Sequence, residues 1–189
     1  MDALTLLIAD HNRVRGLFTR FQSAHESKDT AKMAELAPEI LTELEVHTTI
    51  EEEIFYPEVT QASEEIHEMI TEGVEEHSVV KRLAAEVQSL SPDDDQWEAK
   101  MVVIIENVEH HAGEEEKELF PKVRSALNAQ VLAEMGERLE ALKAELGAAT
   151  AADKEHLSVA ELQQLASEQE IPGRSKMSRD ELVATVAPD

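Results

Sequence analysis

Glu109–Lys122 reads EHHAGEEEKELFPK, and the fold follows from it. His111 and Glu115 stand four residues apart, so on a helix they share one face. That face is the apolar one: Ile104, Val108, His111, Glu115 and Leu119 recur at steps of three or four. A histidine and a carboxylate thus point where a helix normally buries Leu or Val. Burying a carboxylate without a partner costs several kcal/mol or forces it to take a proton. Something in the core must satisfy it.

The pattern occurs twice. Val46–Val59 reads VHTTIEEEIFYPEV, with His47 and Glu51 four apart, and superposes on the later stretch at an offset of 64. Phe55 then falls on Leu119 and Tyr56 on Phe120, with Pro57 and Pro121 closing the two segments. Upstream, Ile8–Phe21 superposes on Val74–Val87 at an offset of 66 and places His11 on His77. The repeat is a helical hairpin with one His on its first helix and His-x-x-x-Glu on its second. Two such hairpins bring four His and two Glu to one place.

Composition agrees with helix. Ala, Glu and Leu dominate, aromatics make up 3%, and there are 6 Gly and 6 Pro in 189 residues. No Cys is present, which excludes disulfides, thiolate ligands and Cys catalysis and fits a reducing compartment. The start, MDALTLLIAD, lacks the basic character of a signal peptide, and no apolar run has the length of a membrane span, so a soluble cytoplasmic protein is expected. The net charge of −24 argues against nucleic acid and anionic membrane as partners and would concentrate cations at the surface.

Leu4, Leu7, His11, Val14, Phe18 and Phe21 mark a first amphipathic helix over about residues 2–26. A second begins at Asp29-Thr30, carries Met33 to Ile54 on its apolar face, and ends at Phe55-Tyr56-Pro57. Pro38 predicts either a kink in it or its true start. The third begins near Ser63, with Ile66, Ile70, Gly73, His77, Val80, Ala84 and Val87 as its seam. Ser91-Pro92-Asp93-Asp94 predicts the start of the fourth, with Ser91 as cap and Pro92 at the first helical position, running to about Arg124. Asn128 caps a fifth. Short connections between long helices give an all-α, up-down-up-down four-helix bundle with the fifth helix outside it.

The six inward side chains, His11, His47, Glu51, His77, His111 and Glu115, are neutral imidazoles and carboxylates, a donor set for iron, manganese or zinc. Facing helices of a bundle build carboxylate-bridged two-metal sites in this way. Two bridging carboxylates, four imidazoles and a shared oxo or hydroxo group leave two positions of a six-coordinate pair open. Those positions suit solvent or a small ligand such as dioxygen, peroxide or nitric oxide, and they disfavour a purely structural zinc bundle.

The series His, His-x-x-x-Glu, His, His-x-x-x-Glu, with FYP and LFP closing the hairpins, resembles the hemerythrin family in its bacterial HHE cation-binding branch, over about residues 1–145. The resemblance implies a four-helix bundle holding two Fe ions, oxo- or hydroxo-bridged, with the six residues as ligands and Glu51 and Glu115 as bridges. It also implies a departure. Oxygen-carrying hemerythrins have a fifth His one turn from the third-helix His and an Asp in the last motif, whereas Gly73 and Lys81 flank His77 here and the last carboxylate is Glu115. That points away from reversible oxygen carriage, towards peroxide chemistry, sensing of oxygen or iron, or nitric oxide.

Several neighbours carry open alternatives. Gly73 either opens space beside the metals or lets helices pack closely. The Tyr56 phenol either reaches the site or fills the core. His110 points about 100° from His111, towards the surface or the outer side of the site. Glu52 reads as part of a solvated Glu51-Glu52-Glu53 run, its counterpart being Glu114-Glu115-Glu116; each run sends one carboxylate inward and two outward, where they could attract Fe²⁺. His25, His67 and His156 belong to no such constellation.

The bundle is assigned to residues 1–147 and a linker to 148–155, around Ala148-Ala149-Thr150-Ala151-Ala152. In residues 156–189, Ser158–Glu161 and Ser178–Glu181 are capping boxes opening two short helices, with Ile171–Met177 as an extended connector. The GRSKM connector and Asp180-Glu181-Leu182 resemble the small helix-extended-helix module of the N-terminal region of transcription terminator Rho and of SAP-type domains. Such modules often bind nucleic acid, yet three basic residues against seven acidic ones in 155–189 make a poor footprint for phosphate, and a protein partner is the expectation. Two functions stand at this point: a protein that binds or decomposes dioxygen or hydrogen peroxide, which would make it catalase-like if it turns over, and an iron, oxygen or nitric oxide sensor that signals through its tail.

Overall fold

The computed structural model describes residues 1–146, 159–168 and 171–186. Every regular element among them is helical: α1 (Ala3–Glu26), α2 (Thr30–Ile50), α3 (Tyr56–Val59), α4 (Glu64–Ser89), α5 (Asp95–Glu114), α6 (Phe120–Ala126), α7 (Ala129–Glu145), α8 (Val159–Glu168) and α9 (Arg179–Thr185). Side-chain caps start most of the long ones. Asp2, Asp29, Ser63 and Asn128 accept from the backbone N–H three residues on, at 2.9–3.2 Å.

One expected boundary holds and others move. α2 starts at Thr30 behind the Asp29 cap and not at Pro38, which lies within it on the exposed face, where water can meet the carbonyl that its missing N–H leaves. Ser91–Asp94 is a turn, closed by Asp94 N–H to the Ser91 carbonyl at 2.9 Å, and Asp94 rather than Ser91 caps α5. Pro suits the second position of such a turn as well as it suits the first turn of a helix. Finally, Pro57 and Pro121 do not close their helices. α2 widens into a π-helical turn over Glu51–Phe55 and resumes as α3, and α5 does the same over Glu115–Leu119 before α6. The Tyr56 and Phe120 N–H groups reach back five residues, to the Glu51 and Glu115 carbonyls. In an unbroken α-helix each proline ring would clash with the carbonyl four residues back. The wider turn swings that carbonyl aside and lets the chain run on.

α1 neighbours α2 and α5, and α4 neighbours α5 and α2, which gives the four-helix bundle. Its interior divides into two apolar clusters. One centres on Phe18, Phe21, Met33, Ile40, Met101 and Ile104, the other on Leu4, Leu7, Ile50, Phe55, Ile66 and Phe120. The polar inward residues form the layer between them.

α7 adds Leu132, Met135 and Leu139 to the second cluster and lies against α1 and the first π turn. Gly136 permits this, because a Cβ there would run into the Met1 carbonyl oxygen. α9 also packs on α1, which is buried around most of its circumference. In the tail Leu162, Ala166, Ile171, Leu182 and Val186 form their own apolar cluster. The Ser178–Glu181 capping box is formed, and Gly173 turns the connector at φ 72° into a 3₁₀ turn over Arg174–Lys176. The linker expected at 148–155 and the Ser158 cap lie outside the described residues.

Candidate metal centre

The six predicted side chains meet in one buried layer, one or two from each long helix or the π turn that follows it. His11 sits between Leu7 and Val14 on α1, and His77 between Gly73 and Val80 on α4. His47 and His111 stand in the last turns of α2 and α5, and Glu51 and Glu115 open the π turns. All six are at most 9% exposed. The His11 and His47 Nε2 atoms approach to 3.1 Å, and those of His77 and His111 to 3.0 Å. Glu51 Oε2 lies 3.3 Å from His47 Nε2 and 3.4 Å from His77 Nε2. Glu115 Oε2 lies 3.3 Å from His11 Nε2 and 3.6 Å from His111 Nε2. Each carboxylate therefore faces one histidine of its own hairpin and one of the other.

Three of the four imidazoles are also held from behind, and the fourth, His47, has Asp10 behind an Nδ1 that makes no hydrogen bond among the described residues. Nδ1 of His11 meets Glu116 at 2.8 Å, that of His77 meets Glu52 at 3.0 Å, that of His111 meets Glu76 at 2.7 Å, and that of His47 faces Asp10 at 3.7 Å. A carboxylate behind Nδ1 keeps the proton there and turns the bare Nε2 lone pair inward, the orientation that metal-binding histidines need. Three of the four outer carboxylates are in turn paired with a cation: Asp10 with buried Lys143, Glu52 with Lys81 at 2.7 Å, and Glu116 with Arg15 at 2.7 Å.

The result is a core full of lone pairs. Both oxygens of Glu51 and Oε2 of Glu115 are buried with no hydrogen-bond partner among the described residues. Protons meet part of the demand. Burial and the Glu115 charge push the Glu51 carboxyl well above its ordinary range, towards its protonated form. Burial acts on Glu115 in the same sense, but His111 and His11 outweigh it and bring that carboxyl down to about 2. Burial and the His111 charge bring His77 down to about 2 as well, so it stays neutral. Two cations with nitrogen and oxygen preference would satisfy the remaining lone pairs, and the donor set fits them. The donor atoms form two groups, His11, His47, Glu51 and Glu115 in one and Glu51, His77 and His111 in the other.

Two spaces reach this layer. On the Val14, Leu44, Val80 and Val108 side is an apolar cavity of about 20 Å³, room for one water-sized molecule. On the other side a polar cleft of about 100 Å³ runs past Glu72 and Glu118 to Tyr56, His111 and Glu115. The Tyr56 hydroxyl donates to Glu115 Oε1 at 2.9 Å and lies 3.4 Å from His111 Nε2. Burial and the neighbouring carboxylates push this phenol well above its ordinary value, so it keeps its proton. Gly73 leaves the room for it: a Cβ there would meet Tyr56 Oη and His111 Cε1, each at 3.2 Å.

The model of the hemerythrin HHE cation-binding domain matches residues 2–123. The chain belongs to this hemerythrin family. The fold is also that of a solved hemerythrin HHE cation-binding domain-containing protein from Mycobacterium kansasii, an Rv2633c homologue, at 22% identity and a TM-score of 0.64, covering 98% of this chain and 99% of that one. A curated relative from Nostoc sp., a DNA nickase, is 29% identical over 146 residues, 77% of this chain. The hemerythrin-like chain spans 40% of that relative's length.

All six predicted residues of this HHE domain come together. Tyr56 and Gly73, each left with two readings, both line the centre. Glu52 is a correction: it turns to the His77 Nδ1 rather than lying in a solvated run, and Glu116 does the same for His11. Asp10 and Glu76 were missed. The repeat held the signal, since its offsets place Asp10 on Glu76 and Glu52 on Glu116. His25 and His67 lie away from the centre, beside Glu98 and Thr60, and His156 is outside the described residues. No helix among the described residues is long and apolar enough to cross a membrane.

Proposed function

We propose that the centre holds two iron ions, anchored by His11, His47, His77 and His111 and bridged by Glu51 and Glu115, and that it binds or decomposes a small oxidant, dioxygen or hydrogen peroxide. One observation carries this reading: four inward Nε2 atoms, three of them set by a carboxylate bonded behind and the fourth with Asp10 behind it, converge on carboxylate oxygens that no donor among the described residues satisfies. When bound, a pair of redox-active ions supplies electrons and open coordination positions to the oxidant. The protein's own groups do the rest. The small apolar cavity admits a diatomic-sized molecule beside the imidazoles and keeps bulk water out. The Tyr56 hydroxyl, which lines the cleft on the opposite side, holds a proton 2.9 Å from Glu115 Oε1 and is placed to supply it to an oxidant that enters from the cleft.

Metal analysis of the purified protein should find two irons per chain, with charge-transfer absorption in the near ultraviolet. Zinc in their place would return the domain to a structural role. His77→Ala should empty or halve the site and lower the melting temperature, because metal bound only to the folded state stabilises it. Unchanged iron and unchanged melting would refute the assignment.

A sensor is the second reading, favoured by α9 packing on α1, the helix that carries His11. Its tail would report the state of the centre to a protein partner, as a module of the Rho N-terminal or SAP type set off from the bundle by the 148–155 linker. Turnover separates the two. Oxygen evolved from peroxide over many cycles marks the enzyme, and a colour change without turnover marks the sensor. DNA nicking, the activity named for the Nostoc relative, is the weakest reading, since a net charge of −24 repels phosphate.

A further inference from the structure

We propose that Glu76, His110 and Glu114 form a separate divalent-cation site at the rim of the polar cleft, where a ferrous ion waits before it enters the buried centre. The site itself stands on its own geometry; its hand-over role rests on the proposed function.

The donor atoms of the three residues lie within 4.8 Å of one another. His110 and Glu114 share a face of α5 at one-turn spacing, with His110 Nε2 3.3 Å from Glu114 Oε1, and Glu76 reaches across from α4, its Oε1 4.0 Å from the same nitrogen. Glu76 divides its two oxygens between two tasks. Oε2 holds the His111 Nδ1 at 2.7 Å, and Oε1 faces the rim.

Glu76 is also the odd one of its set. Asp10, Glu52 and Glu116 each lie behind an imidazole and each pair with a Lys or Arg. Among the described residues no Lys or Arg pairs with Glu76. Lys117, which lies over Gly113, pairs with none of the three rim residues. Where its three counterparts have an ammonium or guanidinium, Glu76 has an exposed imidazole and a second carboxylate. A metal dication is the charge that completes the pattern.

The cleft gives the ion somewhere to go. Glu76 and Glu114 line its mouth, and its floor is Tyr56, His111 and Glu115, a residue 4% exposed whose Oε2 has no hydrogen-bond partner among the described residues and faces the buried imidazoles. An ion at the rim thus looks down a polar path towards unsatisfied carboxylate. One imidazole, two carboxylates and solvent suit Fe²⁺, Mn²⁺, Co²⁺ or Zn²⁺, and an exposed site of this kind exchanges its ion readily.

The test uses the full chain and Co²⁺. Iron-loaded wild-type protein in equilibrium dialysis should take up one Co²⁺ beyond its buried irons, and His110→Ala/Glu114→Gln should take up none. The double variant leaves Glu76 and all six inward residues in place. Metal-free variant should load Fe²⁺ about tenfold more slowly than wild type at low salt and reach the same final iron content, since an acidic cleft speeds cation entry. Wild type that takes no extra Co²⁺, or a variant that takes as much, overturns the site; equal loading rates overturn the hand-over. His47→Ala/Glu51→Gln, which disables the buried centre, should keep its rim Co²⁺. If wild type holds no buried iron while the rim ion binds and depends on His110 and Glu114, the rim site stands and the proposed function falls.

Discussion

At the residue scale, Tyr56 and Gly73 make one device. Tyr56→Phe removes the only hydroxyl beside Glu115 Oε1 among the described residues. Iron content should hold, while peroxide turnover falls about 100-fold or more, as loss of a positioned proton donor does. Turnover at the wild-type rate would remove Tyr56 from the chemistry. Gly73→Ala sets two effects against each other. Alanine improves an α-helix by about 1 kcal/mol. Its Cβ would press on Tyr56 Oη and His111 Cε1, and crowding of a packed site costs about 1–3 kcal/mol. Crowding should win, seen as a lower melting temperature and a shifted optical spectrum of the iron-loaded protein. The inner ring was legible because each of its members lies on an apolar stripe, where a polar residue stands out. The outer carboxylates were not, because Asp10, Glu52, Glu76 and Glu116 each sit about 100° off that stripe and look like solvated charge until a neighbouring helix is placed beside them.

At the scale of the element, the two π turns do what regular helices could not. Each adds a residue to the turn between Glu51 or Glu115 and the aromatic that follows, so Tyr56 and Phe120 return to the core rather than rotate away from it. Deleting Glu53, which is exposed, should restore the α-helical register with Tyr56 four residues from Glu51 and still facing the core, and set the Pro57 ring against the carbonyl four residues back. The variant should then melt lower than wild type, by the ~3 kcal/mol that a proline inside an α-helix costs. Wild-type melting in the deletion would show that the wider turn is idle. The two Pro residues were a warning, but proline signals both a helix end and a helix that has made room for it. Helix count, order and most starts were legible, since capping residues act locally. The π turns were not, since they answer to packing.

For the whole molecule, the buried charges tie stability and metal binding to pH. In the metal-free protein His77 titrates at about 2 rather than 6.5, and Glu115 at about 2 rather than 4.5. Their contributions are complete above the ordinary values and drain away as pH falls towards 2, because the unfolded chain takes up the protons first. Glu51 runs the other way: raised, it favours the fold at low pH and ceases to do so as pH rises through its folded value. Iron needs that carboxylate ionised, so uptake should release a proton at any pH below the raised folded value of Glu51, and affinity should climb with pH up to that value. Calorimetry in two buffers of different ionisation enthalpy measures the release; none would contradict the protonated Glu51. The burial of α1 has a consequence of another kind. Its inner face waits for α2 and α5, and its outer face for α7 and α9. A ribosome delivers α1 well before α7, so Leu4, Leu6 and Leu7, which pack in the cluster that α7 completes, stay partly uncovered through most of synthesis. Nascent chains stalled before residue 129 should therefore hold onto chaperones, and release should come as α7 emerges.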